Sequence, residues 1–213
     1  METRPGTAYP LGATFDGTGT NFAIYSSVAT AVTLCLLDDD LNEMRIPMTE
    51  VDAYVWHVYV PQVRAGQRYG YRIDGPWDPM NGLRCDPSKL LLDPYAKAIE
   101  GQLKDSLSLL SYRSDDPLVL KGGDSAAATM HSIVVNPFFD WQGDHSPGHD
   151  YSESIIYEAH IKGMTMRHPE IPEELRGTYA GMAHPAIIEH LTKLGITTVE
   201  LMPIHQFTND TTL

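Results

Sequence analysis

The chain has 213 residues, of which 42% are hydrophobic and 20% charged, and it carries a formal net charge of -13. That length allows one or two domains, and that composition excludes a disordered chain. The negative charge, with no run of Lys or Arg against it, excludes nucleic acid and anionic membrane surfaces as expected partners, whereas a neutral polymer such as a glucan needs no charge complementarity.

Cys35 and Cys85 stand outside any CxxC pattern. Each reads as a buried free thiol, and a reducing compartment fits. Met1 to Pro10 has no apolar stretch behind a basic one, and no apolar run reaches spanning length. A cytoplasmic location is therefore expected.

From Ala8 to about Leu120 the rhythm is one of short strands and turns. Asn21 to Tyr25 follows a Gly/Thr-rich turn, Asp16 to Thr20. Ala31 to Leu37 puts Val32, Leu34 and Leu36 on one face, and Asp38-Asp39-Asp40 ends it. Tyr54 to Val60 puts Tyr54, Trp56, Val58 and Val60 on one face, and Trp56 reads as core. Tyr69 to Asp74 is a further strand closed by Gly75-Pro76. Short alternating strands with frequent turns predict an antiparallel, immunoglobulin-like β-sandwich over residues 1–120. Asp93-Pro94 interrupts any helix in Lys89 to Ile99, which reads as an extended segment packing back on the sandwich. Asp105 to Ala128 reads as a polar surface excursion, and 121–150 as a linker.

After about Tyr151 the rhythm changes. Ser154 to Ile161 is a nearly continuous apolar strand. Ala183 to Leu194 reads as a helix with Ile187, Ile188, Leu191 and Leu194 on one face, Pro185 in its first turn and Gly195 at its stop. Thr197 to Ile204 is a second strand. Strand, helix, strand in this order predicts a parallel β-α-β unit over 151–213, with strands buried on both faces. Thr208 to Leu213 reads as the middle of a loop.

Four motifs occur in order in the first region: Pro10-Leu11-Gly12-Ala13-Thr14, Gly19-x-Asn21-Phe22-Ala23, Gly66-Gln67-x-Tyr69-Gly70-Tyr71-Arg72, and Lys89-Leu90-Leu91-Leu92-Asp93-Pro94-Tyr95-Ala96. Together they resemble the N-terminal module of isoamylases and glycogen debranching enzymes, a family-48 carbohydrate-binding module. In the second region, Tyr157-Glu158-x-His160-x-Lys162-Gly163 resembles the first barrel strand of the α-amylase superfamily. Arg176-Gly177-Thr178-Tyr179-Ala180-Gly181 resembles the approach to its first helix. Leu194-Gly195-Ile196-Thr197-x-Val199-Glu200-Leu201-Met202-Pro203-Ile204-His205 resembles its second strand.

The resemblance implies a parent enzyme of glycoside hydrolase family 13 that cleaves α-1,6 branch bonds in glycogen with retention. It implies a truncated TIM barrel, the first β-α-β of about eight such strands, with the remainder expected in cis. Retention needs a nucleophile and an acid, two carboxyl groups roughly 5 Å apart. The family places them after later strands, so no catalytic residue is carried over and the chain alone is expected to be inactive. Glu158 and Glu200 lie inside strands and are structural in the resembling enzymes. The expected partner is glycogen or another α-glucan, through the parent enzyme; the alternative is a non-catalytic glucan-binding or scaffold module.

Two residues are candidates for sugar contact. Trp77 follows Gly75-Pro76 in a loop, where its ring could meet a pyranose face, and His205 stands just past the second strand. No cofactor is expected and no metal. Asp140 to Asp150 mixes carboxylates and imidazoles but lacks a spacing that would converge them, and Asp38-Asp39-Asp40 lacks the pattern of a calcium loop. An incomplete barrel leaves open strand edges and an apolar helix face, so the C-terminal part is expected to be mobile, to aggregate, or to be covered by a partner.

Overall fold

The computed structural model describes residues 1–207, so the loop expected at Thr208 to Leu213 lies outside the described residues. These residues form two compact units, Met1–Phe139 and Asp140–Phe207.

The first unit is built from β1 (Gly12–Phe15), β2 (Gly19–Tyr25), β3 (Ala31–Leu37), β4 (Glu43–Met48), β5 (Glu50–Asp52), β6 (Val55–Pro61) and β7 (Arg68–Asp74). The pairs β8 (Trp77–Asp78) with β9 (Leu83–Arg84) and β10 (Ile99–Glu100) with β11 (His131–Ile133) follow, with the short helix α1 (Ser106–Leu109) between the last two strands. A four-stranded sheet in the order β1-β2-β6-β5 faces a five-stranded sheet in the order β10-β11-β7-β3-β4, and every pairing is antiparallel. The core lies between them. Phe22, Ile24, Val58 and Val60 come from the first sheet, and Val32, Leu34, Leu36, Ile46, Tyr69 and Tyr71 from the second. Alternation in each strand sends these side chains to one face, and full burial of each contributes about 1.5–3 kcal/mol. The edge-on contact of Phe22 with Tyr69 (5.1 Å between ring centres) joins the two sheets, and Tyr71, on the same strand as Tyr69, stands edge-on to it at 5.9 Å.

The opposite face of the five-stranded sheet is also covered. Cys35, Leu37 and Leu90 form a second buried cluster. There the chain at 89–91 runs along β7, with Leu91 and Tyr71 exchanging backbone hydrogen bonds at 2.8 and 2.9 Å. Gly70 makes this approach possible, because a Cβ there would stand 2.9 Å from the Leu91 carbonyl oxygen. The extended segment read from Asp93-Pro94 is thus an outer layer of the sandwich.

Three details differ from the sequence expectation. Tyr54 is not on the core face: it lies in the turn between β5 and β6, its φ is 69°, and its ring is exposed. The alternation continues in sequence one step beyond the strand because no Gly or Asn marks the turn. The stretch expected as linker holds β11, which pairs with β7, so the sheet runs past residue 120. The excursion at 105–128 is not wholly superficial, because Ser125 and Ala128 are buried.

In the second unit β12 (Ile156–Ala159) and β13 (Thr198–Leu201) pair in parallel, with helices α2 (Ile161–Thr165), α3 (Tyr179–Met182) and α4 (Pro185–Lys193) between them. Pro185 opens α4, and the His184 ring accepts from the Ala186 amide as its cap. Only part of the apolar face of α4 is covered: Ile187 is buried, whereas Ile188 is 53% exposed. The strands were expected to be buried on both faces, yet Ile156 and Val199 are exposed. The reason is the small sheet, which has these two strands and no third among the described residues.

Candidate functional site

A parallel β-α-β unit gathers its loops at the C-terminal ends of its strands, and that edge is where such units place reactive and binding groups. Here it carries an open cavity of about 460 Å³. His160 follows the end of β12, Lys162 stands in the first turn of α2, Thr178 and Tyr179 come from the start of α3, and Ile204 and His205 from the segment after β13. The chain turns sharply at His160, where the strand stops and α2 begins. Its Nδ1 accepts from the Gly163 amide at 3.0 Å, which caps the helix and fixes the ring. Thr178 caps α3 in the same way through Gly181. The Tyr179 hydroxyl donates to the Ile204 carbonyl at 3.3 Å, tying the helix start to the segment that carries His205.

The cavity therefore holds two imidazoles, an ammonium and a phenol, with apolar walls from Ile161, Met202 and Phe207. That mixture suits a neutral polyhydroxyl ligand, whose hydroxyls meet donors and acceptors and whose ring faces meet carbon. Among the described residues no carboxylate lines it. Glu158 and Glu200 sit opposite each other in the middle of the paired strands, away from the strand ends. Among the described residues no group of three or more His, Cys, Asp or Glu side chains is placed to hold a metal ion.

The structure puts His205 in this cavity. Sequence reading missed His160, Lys162 and Tyr179, although all three stand in the motifs quoted for the resemblance. The missing signal was the strand end: the run Ser154 to Ile161 is nearly continuously apolar, with no Gly or Pro to announce the turn at His160.

Trp77 belongs to the other unit. It lies in β8, half-buried, and its indole N–H donates to the Leu118 carbonyl at 2.9 Å. The guanidinium of Arg84, on the partner strand β9, stands 5.1 Å over the Tyr112 ring. The excursion at 105–124 thus folds back as a strap over this hairpin.

Buried charges anchor the strap. Lys89 is 2% exposed, and its ammonium donates to the carbonyls of Ser108 (3.0 Å), Gly122 (3.0 Å) and Gly123 (2.7 Å). Three acceptors match its three N–H donors. Burial pushes the Lys89 pKa down from its ordinary value. Arg72, 3% exposed, pairs with Glu43 and with Asp124 (2.8 Å), and donates to the carbonyls of Pro87 and Ser88.

Residues 10–96 match the family model of carbohydrate-binding module 48, the isoamylase N-terminal domain. Over 98% of its length the chain is 57% identical to the glycogen operon protein GlgX homolog of Mycobacterium tuberculosis, of which it spans 29%. It is 49% identical to the glycogen debranching enzyme of Yersinia enterocolitica, with 93% of this chain and 30% of that protein covered. The chain thus spans about three tenths of the length of the curated relatives it matches. Among solved structures, the apo pullulanase of Paenibacillus barengoltzii matches with a TM-score of 0.64 at 22% identity, covering 95% of this chain and 28% of that one. The pullulanase of Anoxybacillus sp. LM18-11, complexed with maltotetraose, matches at 0.62 and 22%, covering 92% and 25%. Identity at that level speaks for the shared fold.

Proposed function

We propose that the chain is the N-terminal portion of a cytoplasmic glycogen debranching enzyme of glycoside hydrolase family 13, which hydrolyses α-1,6 branch bonds with retention. In this reading the sandwich, of immunoglobulin-like type, steadies the enzyme, the division between domains falls near Phe139, and β12-α-β13 opens a TIM barrel completed in cis. The cavity around His160, Tyr179 and His205 lines one wall of the glucan cleft. The observation that carries the reading is the cavity's position at the C-terminal strand ends, together with 57% identity over 98% of the chain to a glycogen operon protein. The debranching relatives, and the neighbour complexed with maltotetraose, supply the substrate class.

With no carboxylate in the cavity among the described residues, the chain alone is expected to be inactive on branch bonds. Reducing ends released from glycogen by the purified chain measure this, and release above a heat-killed blank overturns it. The gene's frame past the Leu213 codon tests the rest: several hundred further codons support the reading, and an immediate stop sinks it. An immediate stop would leave the alternative, a non-catalytic glucan-binding or scaffold module.

A further inference from the structure

We propose a glucan-binding platform on the sandwich, formed by Tyr25 and Tyr54 with the carboxylates of Asp52 and Glu50. It rests on the glucan reading above but is built from residues other than those lining the cavity and other than Trp77.

The turn between β5 and β6 is built from two residues that disfavour it. Ala53 has a φ of 48° and Tyr54 a φ of 69°, the left-handed region in which Gly and Asn are at ease. Strain of this kind persists where the surroundings enforce it, and here the Ser26 amide donates to the Tyr54 carbonyl at 2.9 Å, tying the turn to the end of β2. A fold needing only a tight turn would place Asn-Gly at these positions. What this turn holds instead is a tyrosine ring, 60% exposed, standing edge-on to Tyr25, itself 53% exposed, with 6.4 Å between centres and 76° between planes.

The register completes the patch. Tyr25, Val55 and Asp52 stand in one cross-strand row of the four-stranded sheet, on the face away from the core, and Glu50 shares that face in the next row. Asp52 gives one oxygen to the His57 ring at 3.1 Å and leaves Oδ1 free to accept. Two fixed aromatic rings beside carboxylate acceptors, with no Lys or Arg in either row, fit neither an anion nor a nucleic acid. They fit a neutral polyhydroxyl chain: sugar C–H faces lie on the rings and sugar hydroxyls donate to the carboxylates.

The test separates binding from folding. Tyr54→Asn removes the ring and relieves the turn, so Tm holds or rises. Retention of the 213-residue chain in native gels containing glycogen falls about two- to tenfold. Tyr25→Ala falls by a similar factor, and the double variant migrates close to the glycogen-free position. Unchanged retention of Tyr54→Asn, no retention of the parent chain, or loss confined to Trp77→Ala each overturns the platform. So does a change of sedimentation without a change of retention, which would make the tyrosines a protein contact. The debranching reading is judged separately by the gene's frame, so either can fail alone.

Discussion

The Tyr69 hydroxyl donates to the Asp93 carboxylate at 2.7 Å, and both groups are buried at the edge of the core. Asp93 also accepts from the Tyr95 amide at 2.8 Å, and its own amide donates to Ser132. Asp93 thus fastens the motif segment 89–96 to β7 through its carboxylate and to β11 through its amide. Burial raises its pKa above 3.8, against the lowering effect of those two hydrogen bonds.

Tyr69→Phe is therefore expected to destabilise the sandwich by about 1–3 kcal/mol, because it leaves a buried carboxylate short of a donor. The pH dependence has a definite sign. A carboxyl whose folded pKa lies above its unfolded value costs stability when ionised, and that cost is relieved as pH falls through the folded pKa. Tyr69→Phe raises the folded value further, so its deficit against the parent chain shrinks on mild acidification. Thermal melts from pH 7 to pH 4 measure it, and a constant deficit would remove Asp93 from the account.

Gly70→Ala is expected to cost about 1–3 kcal/mol, the range for overpacking. The added methyl meets the Leu91 carbonyl oxygen at 2.9 Å and the Leu90 side chain at 3.0 Å, and the first of these is backbone that cannot swing aside. Urea midpoints report it. A neutral result would show that the outer layer at 89–91 is not seated on β7.

Lys89→Met strips three carbonyls of their donor. The expected loss is about 1–3 kcal/mol. More diagnostic is where it falls: proteolysis within 105–124 speeds up in native buffer, while the strands stay protected. Equal acceleration across the whole chain would mean that the strap does not open by itself.

Asp16 sits in the exposed turn before β2 and accepts from the amides of Thr18 (2.8 Å) and Gly19 (3.0 Å) and from the Tyr59 hydroxyl. The amide of Thr18, foremost among these, takes its pKa from 3.8 to about 2. A depressed carboxylate contributes stability above its unfolded pKa and loses it as pH falls through the folded one. Asp16→Ala should therefore lower Tm at pH 7, and the gap from the parent should close between about pH 4 and pH 2. A gap that persists at pH 2 would assign the effect to something other than this charge.

Much of the sandwich was legible because alternation is a direct imprint of a buried face: Val32, Leu34 and Leu36 lie where their spacing puts them. The pattern misplaced Tyr54 because it says where a face could continue, not where the backbone turns. Lys89, Arg72 and Asp93 were harder still. Charged residues are exposed by default, and only contacts with segments 15 or more positions away, such as Arg72 to Pro87 and Ser88, show them as interior struts. Strand β11 escaped notice because His131-Ser132-Ile133 is too short and too polar to announce itself. The cavity was half legible: His205 follows an evident strand, whereas His160 is exposed to a ligand only because the chain bends there.

The pairing of β10 with β11 closes the strap at its base, Ile99 opposite Ser132 and Glu100 opposite His131. Everything between is an inserted loop whose ends are already joined, and changing its length costs little closure entropy. Length is therefore negotiable in this insertion, but electrical accounting is not. A shorter loop that no longer brings carbonyls to the ammonium of Lys89 strands a cation inside the fold, so loop and lysine have to be exchanged as one unit.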